Sequence, residues 1–508
     1  MSSPSLKHAN PPVELDAQPT SPRLRLGQAQ VDQAAQTTSP RLRFGMASVF
    51  LPPPTTPRLR HPHPPVEVEI QPTSPRLRLG FAPAPPNPLR LWPTPPNWDS
   101  PVVERLAWET EILTSGDQSE QRAGWRSRPG RFFAYDFALA DYELPHIEAI
   151  LYGLQDTAVL IPIWTDASRL AAAVEAGDTV LPLIEPTEEL DLGAPTQVAI
   201  LAKDYGQADF GIQDEPYEVR DVAEVTASGL VLVEGMRRDW AKGSRVVPVR
   251  AGYLPPSVTL TRPTAKGAMG SVLVELTEPG WPTLPALEAD TYRGLDVLPW
   301  IPDRAPDVEE NYVRVRHRRG SVGGVVVIEP RRDRPAIERG LRFVFEGRTA
   351  ILQFRAFLHR CAGQRKRFWV PSFMADLELH QNAEPEDEWI TIKSVRGFEE
   401  YGRPHGPKTG DFATVGEDLT AYRNPGRRDI QIIDSPGATP IRRRIQSWTK
   451  VGDGIEQLHL DGGPLGVDLI RGRVLLSWLS EQRLASDQVE LRWLHDRLVE
   501  TTLPMRSL

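Results

Sequence analysis

The sequence predicts a mostly β protein with short helices, a β-rich α+β chain. Duplicated sheet-plus-helix units are each followed by a small β-barrel or sandwich module, and an extended proline-rich arm precedes them. Three observations predict this. Aromatic residues alternate just before a short helical period at two places, Arg131–Trp164 and Gly340–Phe373. Short apolar runs divided by glycine turns follow each of them. An Arg-Leu-Arg motif recurs through the first hundred residues. The expected organisation is an arm at 1–98, a first sheet-plus-helix unit at 99–165 and a first β module at 166–278. A second unit follows at 279–373, then a second β module with closing strands at 374–508.

The arm comes first. The run PVELDAQPTSPRLRLG from Pro12 to Gly27 returns as PVEVEIQPTSPRLRLG from Pro65 to Gly80, with shorter variants ending at Gly45 and Arg60. The prolines ahead of each core, Pro22, Pro40, Pro57 and Pro75, are spaced by 18, 17 and 18 residues. Pro88-Leu89-Arg90-Leu91-Trp92 reads as a decayed fifth copy. Proline and low complexity argue for disorder, but the alternation places arginines on one side and leucines on the other, as on a short strand. Such a strand can add to a sheet edge on another subunit. The expected contacts are Arg23, Arg25, Arg41, Arg43, Arg58, Arg60, Arg76 and Arg78 in charged pairs, with Leu24, Leu42, Leu59 and Leu77 filling pockets beside them. Residues 1–100 hold ten Lys/Arg against six Asp/Glu, whereas the whole chain carries −8, so a positive arm faces an acidic body.

In the first unit, Val103, Leu106 and Trp108, then Ile112 and Leu113, suit strands, and Ser115-Gly116-Asp117 suits a turn. Phe133, Tyr135 and Phe137 alternate. Leu144, Ile147, Ile150 and Leu151 then recur at helical spacing, with Pro145 allowed only in the first turn. Val159–Ile161 closes the unit before Pro162. Strands are expected at Gln197–Leu201, Tyr217–Val219, Leu230–Val233, Ser244–Val249 and Ser257–Thr261. Ser271–Leu276 and Trp281–Leu287 lead to the second unit. There Val325–Ile328 reads as a strong strand, and Arg314–Arg319 as a solvated strand face. Phe343 and Phe345 alternate before a helix bearing Ile351, Phe354, Phe357 and Leu358, which can stop in a left-handed conformation at Gly363. Phe368-Trp369-Val370 precedes Pro371. The last strands are expected at Trp389–Ile392, Leu419–Ala421, Asp429–Ile433, Ile441–Ile445, Gln457–Leu460, Val474–Leu476, Val489–Trp493 and Glu500–Leu503.

Chemistry is not what the sequence advertises. There is no GxGxxG before a helix, no GxxxxGK[ST], no HExxH and no GxSxG. The lone cysteine, Cys361, excludes an internal disulfide and a thiolate zinc site, and reads as a small buried hydrophobe. His61 and His63 lack a third ligand, and His359 and Cys361 do not share a helix face. Glu188-Glu189, Glu384 with Asp387, and Asp411 read as solvated surface. The scattered tryptophans, among them Trp125, Trp164, Trp240, Trp300, Trp369, Trp389 and Trp478, read as core or interface anchors. No catalytic, metal or cofactor residues are expected. No run of eighteen apolar residues exists and the start lacks an apolar leader, so neither membrane insertion nor a signal peptide is expected. The net charge of −8 speaks against nucleic acid as a partner.

Three stretches carry a resemblance. Trp108-Glu109-Thr110-Glu111-Ile112-Leu113, followed by Ser119-Glu120-Gln121-Arg122, resembles the W-x-T…S, E-Q-R opening of distal-tail and minor-tail proteins of long-tailed bacteriophages. Phe354–Phe373, and Asp487 to Trp493, resemble later segments of the same proteins. The likeness covers about 100–508. The second unit lacks the E-Q-R opening, with Trp300 and Asp303 its nearest material, and the arm matches no pattern of that family. The resemblance implies a siphovirus-type virion subunit without turnover. It would be assembled in the host cytoplasm and self-associate in a ring at the tail tip or baseplate, against the tail tube and its neighbours. The alternatives are a glycan-binding or carbohydrate-active tail-associated protein, and a tail assembly factor absent from the mature particle.

Overall fold

The computed structural model describes residues 90–508 except 117–118, 141–142, 154–157, 186–195, 203–216, 278–289, 321–323, 325, 332–334, 394–416, 419–426, 436 and 453. The four arm repeats, Glu188-Glu189, Trp281–Leu287, Asp411 and Leu419–Ala421 lie outside the described residues.

The first half runs β1 (Val102–Ala107), β2 (Thr110–Thr114), β3 (Glu120–Gly124), β4 (Gly130–Leu139), α1 (Glu143–Gly153), β5 (Val159–Pro162), β6 (Ser168–Arg169), β7 (Val180–Pro182), β8 (Thr196–Leu201), β9 (Tyr217–Thr226), β10 (Gly229–Leu232), β11 (Arg245–Tyr253), β12 (Leu260–Thr264) and β13 (Gly267–Leu276). A small hairpin follows, β14 (Thr291–Tyr292) and β15 (Leu295–Asp296). The second half runs β16 (Glu310–Val313), β17 (Arg316–Arg319), β18 (Val327–Pro330), β19 (Ala336–Glu346), α2 (Arg348–Cys361), β20 (Phe368–Pro371), β21 (Trp389–Lys393), β22 (Glu417–Asp418), β23 (Asp429–Ile433), β24 (Ile441–Gly452), β25 (Ile455–Leu460), β26 (Leu475–Leu484), β27 (Gln488–His495) and β28 (Leu498–Ser507). The described residues are thus mostly β with two α-helices, as the alternation predicts, and no described helix is long and apolar enough to cross a membrane.

Local sequence explains the elements that matter. In β4, Phe133, Tyr135, Phe137 and Leu139 are buried and the residues between them face outward. In α1, Pro145 lies in the first turn, where its missing N–H costs no helical bond, and Leu144, Ile147 and Ile150 are buried. In α2, Ile351, Phe354, Phe357 and Leu358 are buried. The left-handed stop begins one residue before the expected glycine, at Ala362 (φ 50°), and continues through Gly363 (φ 64°).

Two expectations need correction. The strand expected at Ser257–Thr261 starts at Leu260, because its ladder with β13 begins where Leu260 faces Gly270, beyond Pro255-Pro256, which have no amide to donate. The strand expected at Val325–Ile328 is found from Val327 on, as β18, a member of a two-stranded hairpin with β17 in which Val327 and Ile328 are exposed. Most closing strands outrun the expected cores, as β24 and β26 do, because ladder partners flank them on both sides.

Several described pairings within residues 91–276 have matches within residues 297–507. Glu104 faces Phe133 across β1–β4, and 206 residues later Glu310 faces Arg339 across β16–β19. Leu91 bridges Leu160 in parallel, and Val297 bridges Trp369 in parallel. Helix α2 is three residues longer than α1, and β5 and β20 are 209 residues apart. Val249 faces both Pro162 and Gln197, as Leu479 faces both Pro371 and Asp429. Even the irregularity repeats: the ladder skips Ala223 between β9 and β10, and Gln446 between β24 and β25. Val272 faces Tyr135, as Leu503 faces Leu341.

One hydrophobic core runs through both halves, joining Phe133, Phe137 and Ile147 to Phe343, Phe354 and Leu503. Among the described residues, satellite clusters sit around Leu181, Val198, Leu230 and Trp240 in the first half and around Ile390, Ile430, Trp448 and Leu458 in the second, with a small one of Val297, Trp369 and Leu479.

Candidate functional site: the seam between the two halves

The halves join edge to edge. Strand β1 pairs with β4 of its own half on one side and with β27 of the second half on the other, from Val102 opposite Trp493 to Ala107 opposite Gln488. The inward face of β1 carries Val102, Glu104 and Leu106, all buried. An acid in an apolar register must find partners, because a buried lone carboxylate is costly.

Glu104 finds them from both halves. Its Oε1 accepts from Arg131 Nε at 2.7 Å, and its Oε2 accepts from Arg355 Nη2 at 2.5 Å and from Trp493 Nε1 at 3.0 Å. Asp166 lies behind, 3.7 Å from Arg131 and 3.8 Å from Arg355. The quartet of two arginines and two acids is formally neutral and almost wholly buried. The guanidiniums also stack, Arg131 over Phe133 and Arg355 over Trp493, each 4.9 Å from the ring centroid. Burial alone would push the Glu104 carboxyl up, but Arg131 and Arg355 together outweigh it and hold it below the usual carboxylate range. The same two cations act on His359 in α2. Burial, then Arg131 and Arg355, push its imidazole down to about 4.

The β2–β3 hairpin clamps the seam from outside. Glu120 accepts from Nε and Nη2 of Arg483 in a bidentate pair at 2.9 Å each. Arg483 also donates to Gln364 Oε1, and Arg122 reaches the Gln364 carbonyl at 3.4 Å. Thr110 donates its amide and hydroxyl to Asp487 at 2.7 and 2.9 Å, and Asp487 accepts the Gln364 amide at 2.8 Å. Trp108 donates its amide to the Asp487 carbonyl and packs edge-on against His359. A Cβ at Gly363 would lie 2.4 Å from Asp487 and 2.7 Å from Trp108, so only glycine fits where helix α2 meets this hairpin.

The motif residues Trp108, Thr110, Glu120 and Arg122 therefore sit together on the seam, with Asp487 of the closing segment opposite them. Glu104, Arg131, Asp166 and Arg355 were not singled out by sequence. A signal existed: Glu104 breaks the apolar alternation of Val102 and Leu106, and Arg355 sits four residues from Ile351 on the buried helix face.

The expected arm contacts, Arg23 to Arg78 with their leucines, lie outside the described residues. The fifth, decayed repeat is described at its end. Leu91 and Trp92 are buried and Arg90 is exposed. Trp92 donates its amide to the Leu160 carbonyl and Arg90 accepts from the Leu160 amide, both at 2.8 Å, so this segment lies parallel along β5. Cys361 is buried, and burial pushes its thiol far up. Glu384 is exposed and its amide binds Asp387, a local turn. Trp164, Trp240, Trp369 and Trp478 are buried, and Trp300 packs edge-on against Phe345, Phe354 and Phe357, whereas Trp125 is 69% exposed. No protein-family model matches the chain, and no curated protein is detectably similar to it in sequence.

Proposed function

We propose that the chain is a structural subunit of a bacteriophage tail, forming part of a ring at the distal tail or baseplate, with its N-terminal arm lacing neighbouring subunits. In this reading the two halves are copies of one sheet-and-helix unit. The observation that carries it is the seam. One unit joins the next by strand pairing, sealed by a neutral buried charge quartet and by the residues of the tail-protein-like opening. A unit that offers one edge forward and another backward is suited to building rings, because a heterologous contact repeats around an axis.

The arm reading is supported by the segment Arg90–Trp92, which lies along a strand with its apolar residues in the core and its arginine outward. Four more copies of that pattern would give each neighbour several weak, symmetric contacts, which multiply in a closed assembly. Antibody labelling of purified phage particles by electron microscopy tests the proposal. Label confined to the distal tail is expected; absence from mature particles would move the assembly-factor reading forward.

A further inference from the structure

The seam strands have two counterparts that, among the described residues, pair on one side only. The recurring pairing plan assigns β1 its counterpart in β16, and β27 its counterpart in β12. Arg492 faces Glu500 across β27–β28, and Thr261 faces Met269 across β12–β13, each residue 231 positions earlier. Among the described residues β16 pairs only with β19, and β12 only with β13. Both outer edges are open templates for another strand. Among the described residues both strands are also largely exposed. Leu106 of β1 is fully buried, whereas its counterpart Tyr312 is 50% exposed. Glu310 holds the place of Glu104 and is exposed.

We propose that a second copy of this chain docks here, the β16 edge of one molecule pairing antiparallel with the start of β12 and with Ser257–Thr259, the segment that leads into it, on the next. The register is inherited from the internal seam. Val308 faces Arg262, Glu310 faces Leu260, Asn311 faces Thr259, Tyr312 faces Val258 and Val313 faces Ser257. This inference deepens the ring-subunit reading and rests on it for the assembly being closed.

The chemistry of the two edges agrees. Glu310 has the position of Glu104 and is paired with Arg339 of its own half, and the residue at the place of Trp493 is Arg262, which holds Glu148, so docking brings a second cation beside this acid where an indole stands inside the chain. The hairpins changed on both sides at once. Glu120 and Arg483 form the outer ion pair of the internal seam, and their counterparts are Val326 and Tyr253, apolar and aromatic and 45% and 51% exposed. Arg122 is replaced by Ile328, likewise exposed. A polar clasp within the chain thus becomes an apolar clasp between chains, and three consecutive exposed apolar residues, Val326, Val327 and Ile328, gain a covering partner.

Cross-linking tests the register. Full-length Asn311→Cys and Thr259→Cys chains are co-expressed, as are Tyr312→Cys and Val258→Cys, so that both kinds of ladder position are sampled. The buried Cys361 stays silent. Oxidation should give a disulfide-linked dimer in at least one in-register pair, about tenfold above the off-register pair Asn311→Cys with Thr261→Cys, whose Cα atoms lie too far apart for a disulfide. In parallel, Tyr312→Lys should lower the mass seen by light scattering while the melting curve stays unchanged. Equal cross-linking in and out of register, no cross-linking at all, or a wild-type chain that is monomeric at every concentration would overturn the proposal. In-register cross-linking of a protein missing from particles would sink the phage-tail reading alone. A particle component that fails to cross-link would sink the edge pairing alone.

Discussion

Glu104 is the residue on which the seam turns. Its two arginines are buried with it, so a neutral substitute leaves both cations short of an acceptor. Glu104→Gln should cost about 3–5 kcal/mol in denaturant unfolding, the range for breaking one partner out of a buried pair. Removing all four charges together (Glu104→Leu, Arg131→Met, Asp166→Leu, Arg355→Met) should cost less than that single change. A loss near zero for Glu104→Gln would mean the quartet is wet rather than sealed. His359 adds a pH dependence. Its pKa falls from about 6.5 in an unfolded chain to about 4 in the folded one. Between those values the unfolded chain binds the extra proton. This contribution is therefore fully present above about pH 6.5 and lost as pH falls toward 4, by roughly 3 kcal/mol at most. Unfolding curves at pH 7 and pH 5 should separate accordingly, and His359→Phe should narrow the gap. The Glu104 carboxyl titrates below the usual carboxylate range, so its share is lost only at lower pH.

At the scale of elements, the end of α2 and the β2–β3 hairpin are fitted to each other through one glycine. Gly363→Ala would strain a left-handed backbone and drive a methyl into Asp487 and Trp108. A loss of about 1–3 kcal/mol or more is expected, measured by thermal melting; an unchanged melting temperature would contradict the close docking. The elements themselves were largely legible in the sequence. The β4 and β19 alternations, the helix faces of α1 and α2, and the Phe368–Pro371 strand are read directly from side-chain periodicity, because one face of each is buried against the core. Their partners were not legible. That β1 pairs with β27, nearly four hundred residues on, leaves no mark in local periodicity. Val325–Ile328 shows the same limit: a run of β-branched residues signals a strand, which β18 is from Val327, but not whether anything covers it. The quartet was half legible, since a polar residue in an apolar register flags a buried partner without naming it.

Across the whole molecule, the second half closes on the first along one pair of edges, β1 and β27, and among the described residues the corresponding pair, β16 and β12, stays unpaired. Replacing the eight repeat arginines (Arg23, Arg25, Arg41, Arg43, Arg58, Arg60, Arg76 and Arg78) with glutamate should leave the melting temperature of the body unchanged and reduce assembly, read as a lower mass by light scattering. Loss of the fold in that variant would show that the arm is part of the body rather than a lace. Head-to-tail assembly through β16 and the start of β12 is tested by cryo-electron microscopy of the assembled full-length chain. The expected result is a closed ring with twice as many sheet-and-helix units as chains, and continuous sheet running from Glu310–Val313 of one chain to Ser257–Arg262 of the next. Monomers, or a ring held by other surfaces with these two edges bare, would contradict it.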